Sequence, residues 1–462
     1  MSEPGFCVAS CQQCGEHIEF PVGGHGMRVQ CPHCAAETVL IANPQQPEPQ
    51  PAFPSAAAQE ITAAELKEAL SEIVPRRRIS VFYQIGLLLV ALFMVFLPLA
   101  YLAFIGLVAY CTYWYAIHAR VIMTSFEAGG RVYILRAVAY IGPILAGGIA
   151  VFFMFKPILA RKRKGTNPIE LNPAQHPRLY QFIAHLCEVL RVAMPKRVYL
   201  SCDLNASAGF RRGWLSFFGN DLALTIGLPL VAGLNTRQLA AVIAHELGHC
   251  TQAFAMRVGY VINNVDGWFY RVTCQRDTWD DAVEEWQNSA DTWWMSLLVL
   301  LITLAVWLSR MVLQLLMLIG HFASCFLSRQ MEYHADHCAM AVAGSDGLES
   351  LLVRLREQSV LESLAYDGLG KFWKHRHQLP DCLPDFLDEL ERRLPRDFHE
   401  QARMTLINER PEWLATHPTA AQRIRKARQR SIAGIFALEK PARLLFSDFA
   451  GTAQLVTFAH YR

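Results

Sequence analysis

The sequence predicts a mainly α integral membrane protein in which a small α+β domain is interleaved with apolar helices. Hydrophobic residues make up 53% of the 462 residues and charged residues only 18%. The mean hydropathy is +0.19, too apolar for an ordinary soluble domain. Long apolar runs bounded by basic clusters interrupt the chain, and from Asn167 strand and amphipathic-helix patterns alternate with turns. The length allows two or three domains. The net charge of +3 gives no reason to expect a nucleic-acid partner.

The first stretch, residues 1–41, is polar and carries Cys11-Gln-Gln-Cys14 and Cys31-Pro-His-Cys34, with sixteen residues between them. This is the spacing of a structural zinc ribbon. Four thiolates close a tetrahedral site with no open position. The metal would supply folding energy to a piece with little core of its own. A ribbon of this kind could bind a protein partner. No apolar signal peptide opens the chain, which suits an N-terminus left in a reducing cytosol. Residues 42–60 follow as a Pro-rich, extended linker, and a short helix is expected from about Thr62 to Glu72.

Residues 79–159 form the N-terminal transmembrane region. Arg76-Arg77-Arg78 precedes an apolar run from Ile79 to Ile117 with Pro98 at its middle. A second run, Ala137 to Leu159, ends at Arg161-Lys162-Arg163-Lys164. Basic residues flanking apolar spans read as cytoplasmic anchors. The number of crossings between them is then even, and two is the expectation: one long kinked helix out and one back.

The remainder, residues 160–462, is organised around Ala244-His245-Glu246-Leu247-Gly248-His249. Asn235 followed three residues later by Gln238 marks a capped helix start, so a helix is expected over about 236–251. His245 and His249 then share one face and can hold one zinc ion, while Glu246 can reach a metal-bound water without being a ligand. This is the H-E-x-x-H arrangement of metalloproteases. A catalytic zinc needs a third protein ligand and an open position. Gln252 and Ala255 rule out the longer pattern that supplies a third histidine. Glu332 on a later helix is the expected ligand. Asp336, four residues on, would accept a hydrogen bond from a ligating imidazole. His334 and His337 are rivals to Glu332. Cys250 reads as packing.

Arg197 to Phe210 and Leu222 to Leu228 have strand character and feed the metal helix as a small strand pair. Asn205 to Gly209 could be an edge that pairs with peptide backbone. Residues 258–292 read as a loop with a short helix. The apolar run 293–327 is expected to form a helical hairpin that interrupts the domain, turning at Ser309-Arg310; the alternative is no crossing, with the helices buried in the protein or lying on the bilayer. The expected even number of crossings comes from the need for His249 and Glu332 to meet. The face Gln422 to Ala427 reads as solvated.

Together, Asn205-Ala206, Val242 to His249, Arg329 to Asp336 and Thr416-His417-Pro418 resemble the HtpX-like membrane metalloproteases and their relatives, the CaaX prenyl endopeptidases. The resemblance spans roughly Asn167 to Arg430. It implies a zincin-type α+β metalloprotease domain, a two-His, one-Glu zinc site and cleavage of peptide bonds. It also implies that His417 stabilises the tetrahedral intermediate and that Asn205 contacts substrate backbone. The expected protein is thus a zinc endopeptidase acting on membrane or membrane-associated proteins in quality control or processing. It would sit in the lipid bilayer, at the bacterial inner membrane, with ribbon and catalytic site facing the cytoplasm. Two zinc ions are expected, one catalytic and one structural. The competing readings are a CaaX-type prenyl-protein processing protease and a non-catalytic membrane adaptor that binds partners through the ribbon.

Overall fold

The structure is a computed structural model. It describes residues 6–10, 12–14, 17–21, 27–31, 33–34, 36–39, 61–69, 80–124, 130–159, 168–210, 221–251, 253–275, 278–289, 292–376, 379–395, 397–409, 415 and 417–462. The chain divides into two compact units, Met1–Glu60 and Ile61–Arg462.

The first unit holds two antiparallel hairpins. One pairs β1 (Phe6–Ser10) with β2 (His17–Pro21), and the other pairs β3 (Arg28–Gln30) with β4 (Glu37–Val39). Cys14 lies in the first turn, and Cys31 and Cys34 in the second. Their ligand atoms lie within 4.8 Å of one another. Cys11, the fourth residue of the expected ribbon, lies outside the described residues.

The second unit begins with α1 (Ala63–Ala69). Three of its helical stretches are long and apolar enough to cross a membrane: Val81–Met123, Gly130–Ile158 and Met295–Gly370. The first comprises α2 (Val81–His118), with Pro98 inside it, and the short α3 (Val121–Thr124). The second is α4 (Gly130–Leu159). Tyr115 donates to the Ala139 carbonyl at 2.7 Å and Tyr140 to the Ala116 carbonyl at 2.8 Å. Tyr101 donates to the Met154 carbonyl at 2.9 Å. As the partner number falls while the α2 number rises, α2 and α4 are antiparallel. Phe82, Leu89, Phe96, Ile134, Leu135 and Leu145 are exposed along these helices, as helices facing lipid require.

The α+β part starts with β5 (Ile169–Glu170) and α5 (Pro177–Leu190). Strands β6 (Arg197–Ser201), β7 (Ala206–Phe210) and β8 (Leu222–Gly227) follow. The sheet order is β5-β6-β8-β7, with β6 and β8 parallel and the other pairs antiparallel. The expected strand pair is therefore a four-stranded sheet. The stretch Arg197 to Phe210, expected as one strand, is two, separated at Cys202–Asn205. There Asn205 N–H bonds the Asp203 carbonyl at 2.8 Å, and the Asn205 carbonyl accepts from Gly227 N–H at 2.8 Å. This local turn carries the chain over β8 and leaves β7 at the sheet edge.

After α6 (Leu228–Gly233) comes α7 (Thr236–Cys250), the helix that carries His245 and His249. Its start is a complete capping box: Asn235 Oδ1 accepts from Gln238 N–H at 2.8 Å, and Gln238 Oε1 from Asn235 N–H at 3.1 Å. Such a cap is worth about 1 kcal/mol. Leu239, Ile243 and Leu247 of α7 are fully buried in one core with Phe182 and Leu186 of α5 and Val198, Leu224 and Ile226 of the sheet. Each such side chain contributes about 1.5–3 kcal/mol relative to exposure. The core therefore fixes α7 on the sheet.

Next are α8 (Ala253–Cys274), α9 (Thr278–Asn288) and α10 (Trp293–Arg376). Two expectations are corrected here. Residues 258–292, read as a loop with a short helix, are largely α8 and α9. The hairpin expected over 293–327 does not form, since α10 runs through Ser309 and Arg310 without a turn. Ser309 is fully helical and shares a 2.7 Å hydrogen bond with the Tyr101 hydroxyl of α2; its polarity serves a contact between helices. The return path needed to bring His249 and Glu332 together comes from α8. Gly259 of α8 faces Met331 of α10, Asp266 faces Ser324 and Thr273 faces Met317, so the two helices are antiparallel. Val258, Ile262, Val265 and Phe269 of α8 pack with Leu87, Met94 and Leu97 of α2 and Leu313 and Leu327 of α10.

Helix α10 is broken only at Gly344, where φ is 87°. A Cβ there would lie 2.6 Å from the Ala433 carbonyl oxygen, so this left-handed position requires glycine. Beyond it lie α11 (Leu383–Arg393), α12 (Phe398–Ile407), α13 (Ala420–Arg430) and α14 (Phe449–Tyr461).

Candidate active site

Helices α7 and α10 pack closely against each other beside the sheet. Gly248 permits it. A Cβ on Gly248 would stand 3.0 Å from Ala335 Cα and 3.1 Å from Cys338 Cβ, tighter than ordinary contact. The glycine inside the motif thus lets the histidine-bearing helix approach the carboxylate-bearing one.

The approach brings three side chains together. His245 Nε2 lies 3.4 Å from Glu332 Oε2, and His249 Nε2 lies 3.7 Å from Glu332 Oε1. The two imidazoles are 5.0 Å apart between centroids and nearly perpendicular. The ligand atoms of His245, His249 and Glu332 all lie within 4.8 Å of one another. Two imidazoles and one carboxylate are a donor set that fits zinc with a position left open. His334, the rival from the same helix, is not part of this cluster.

Asp336 sits behind His245. Its Oδ1 is 3.2 Å from His245 Nδ1, so the ring can donate there and present Nε2 to the cluster. Asp336 is in turn gripped by Arg423 of α13, whose Nε lies 3.1 and 3.0 Å from the two carboxylate oxygens. Sequence reading missed Arg423 and placed its helix face in solvent. The structure corrects this: the Arg423 side chain is largely buried. The one available signal was indirect, since two carboxylates buried on one helix face require a counter-charge.

His417 arrives from the loop before α13. Its Nδ1 lies 3.1 Å from Glu332 Oε1, and the ring is otherwise exposed. Glu246 lies on the other side of α7's metal face, toward the sheet. Its Oε2 accepts a 3.3 Å hydrogen bond from the Ala208 N–H of edge strand β7. Asn205 is exposed at the start of that strand, and its residues border the same cavity as His245, Glu246, His249 and His417. The cavity has a volume of about 1060 Å³.

The electrostatics separate the roles. Burial pushes the Glu246 carboxyl above its ordinary range, against the pull of His245 and of the Ala208 hydrogen bond. Burial and the neighbouring His245 push His249 down to about 4. Burial also disfavours charge on His245, but Asp336 and Glu332 outweigh it and hold the ring up to about 9. The hydrogen bond to Glu332 raises His417.

A helix carrying the two histidines, a carboxylate from a helix that continues into apolar spans, and an edge strand beside the site together define a membrane protease. Residues 173–431 match the model of peptidase family M48, and the chain belongs to that family. Protease HtpX of Acinetobacter baumannii (strain AYE) is 27% identical over 227 residues, which cover 47% of this chain and 68% of that protein. Protease HtpX of Acinetobacter baylyi (strain ATCC 33305 / BD413 / ADP1) is 26% identical over 222 residues, covering 46% and 67%. No solved structure matches the chain significantly. The chain is thus a family M48 peptidase similar to the HtpX proteases, and three of its helices are long and apolar enough to cross a membrane.

Proposed function

We propose that the protein is a zinc endopeptidase of the inner membrane that hydrolyses peptide bonds of membrane or membrane-associated proteins in quality control or processing. The observation that carries this is the His245, His249 and Glu332 cluster with Glu246 beside it and an edge strand within hydrogen-bonding reach.

Zinc, when bound by these three residues, polarises a carbonyl oxygen and lowers the pKa of water beside it. The chain's own groups do the rest. Strand β7 pairs with the extended substrate backbone, with Asn205 at its entrance. Glu246 Oε2 takes a proton from the attacking water as its oxygen bonds to the scissile carbon. The same carboxyl then delivers that proton to the departing amine nitrogen as the C–N bond breaks. His417, as an imidazolium whose Nδ1–H is anchored on Glu332, has its Nε2–H to donate to the oxyanion. Asp336 holds His245 in the required tautomer.

Cys14, Cys31 and Cys34, with Cys11 as the fourth ligand, would hold a second, structural zinc in a domain of residues 1–41. That ribbon is a surface for a protein partner, joined through the 42–60 linker to the membrane region 79–159 and the protease domain 160–462. The basic runs at 76–78 and 161–164 favour a cytoplasmic ribbon and catalytic site under the positive-inside rule.

A CaaX-type processing activity is the second reading, favoured by a cavity large enough to admit a lipid chain. The Asp266 carboxylate in its wall weighs against an all-hydrocarbon occupant. Family membership weighs against a non-catalytic adaptor.

The test compares casein and membrane-protein cleavage by the purified wild type and Glu246→Gln, with zinc content measured on both. Loss of cleavage with zinc retained is expected. Full activity in the variant would refute the assignment.

A further inference from the structure

The cavity at the metal cluster continues away from it between α8 and α10. On α8 it is bordered by Met256, Tyr260, Asp266 and Tyr270, residues spaced to share one helix face. On α10 it is bordered by Met317 and His321 before it reaches Glu332. From Met256 to Tyr270 the trough runs for about 21 Å at 1.5 Å per residue. That length holds about six residues of extended chain.

One group in this trough stands out. Asp266 is half-buried and accepts a single, long hydrogen bond, 3.4 Å from the Ser324 hydroxyl. Among the described residues no lysine or arginine pairs with it. The His321 imidazole borders the same space. Leu318 also lines the trough, and Ile319 and Phe322, on the adjoining turns of α10, are exposed, so the trough lies beside an apolar outer surface of that helix. A half-buried carboxylate beside an apolar helix is costly unless a cation meets it. Nothing in the hydrolytic chemistry uses Asp266.

Its position sets the register. Ser324 precedes Glu332 by eight residues of continuous helix, about 12 Å along the axis. An extended chain covers that distance in about four residues.

We propose that the α8–α10 trough receives an extended segment of the protein substrate and that Asp266 forms a subsite for a lysine or arginine side chain about four residues from the scissile bond. This rests on the protease reading and names a substrate preference within it. A basic residue next to an apolar stretch is the composition of a protein's juxtamembrane segment, which is the part a trough beside the bilayer would meet.

The experiment is a binding measurement, so it does not depend on turnover. Full-length Glu246→Gln protein in detergent micelles is titrated with two fluorescent peptides of identical apolar sequence, one with a single lysine and one with norleucine in its place. The lysine peptide should bind about 10-fold tighter, the scale of one partly buried charge pair. Adding Asp266→Asn should bring the ratio to about one, and Asp266→Lys should reverse it in favour of a glutamate peptide. Zinc content reports whether each variant has kept its fold. A ratio near one before Asp266 is changed, or a ratio that survives Asp266→Asn, overturns the subsite. A lysine preference in a protein whose wild type cleaves nothing would support the subsite and sink only the protease reading.

Discussion

Asp336 touches His245 Nδ1 at 3.2 Å on one side and is clamped by the Arg423 guanidinium on the other. The carboxylate is nearly fully buried, so its charge is compensated on both sides, and the imidazole is fixed in the orientation that presents Nε2 to Glu332. Asp336→Ala should lower zinc affinity by about 10- to 100-fold, the usual cost of losing an outer partner of a metal ligand. Arg423→Met should act in the same direction through Asp336 and the ring it orients, since Arg423 meets His245 only at Nδ1, 3.4 Å away. Zinc titration of both variants checks this, and unchanged affinity in Asp336→Ala would refute the arrangement.

Glu332 and His334 provide a sharper contrast. Glu332 faces both Nε2 atoms, whereas His334 is outside the cluster. Glu332→Ala should lose the catalytic zinc or bind it weakly, and His334→Ala should retain it. Metal analysis after dialysis distinguishes them. The opposite order would remove Glu332 from the site.

The pH dependence follows from Glu246. It must be ionised to accept a proton, and burial raises its carboxyl above the ordinary range. Activity should therefore be present at neutral pH and fall as pH drops through that raised pKa, with the acid limb above about 4.3, the value of an unperturbed glutamate. A profile of kcat/KM against pH tests this. An acid limb at or below the ordinary glutamate value would show that the buried carboxyl is not the base.

Gly248→Val should separate α7 from α10, because even a Cβ at this position meets the α10 backbone at 3.0 Å. Overpacking of this kind costs about 1–3 kcal/mol. Lower thermal stability together with weaker zinc binding is expected. A variant with unaltered metal affinity would mean that the two helices tolerate the displacement.

Sequence reading reached the parts of the molecule that carry their own local signal. The capping pair Asn235 and Gln238 marks the start of α7, the apolar runs mark α2 and α4, and the four-residue spacing of Glu332 and Asp336 puts them on one face of α10. What it missed depends on partners distant in sequence. Helix α8 carries Asn263, Asn264 and Asp266 among its apolar residues, and these obscure a face that only α2 and α10 complete. Ser309 resembles a turn until Tyr101 is seen bonded to it. Strand β5 is two residues long and exists because β6 is there to pair with it. Arg423 belongs to a run of basic residues that looks solvated, and only the fold places one of them against Asp336.

The unbroken course of α10 from Ser309 to Glu332 has a mechanical consequence. Ser309, tied to Tyr101, and Glu332, at the metal cluster, lie on one helix with no break between them. The separation is about 35 Å at 1.5 Å per residue. A rod of that length pivoting by about 3° at its lower tie would move its far end by nearly 2 Å, about the length of one metal–ligand bond. Transmembrane helices adjust tilt to match the thickness of the surrounding lipid. Glu332 is thus carried on the same continuous helix as a segment apolar enough to cross a bilayer, and a change of that segment's tilt would be felt first at the carboxylate.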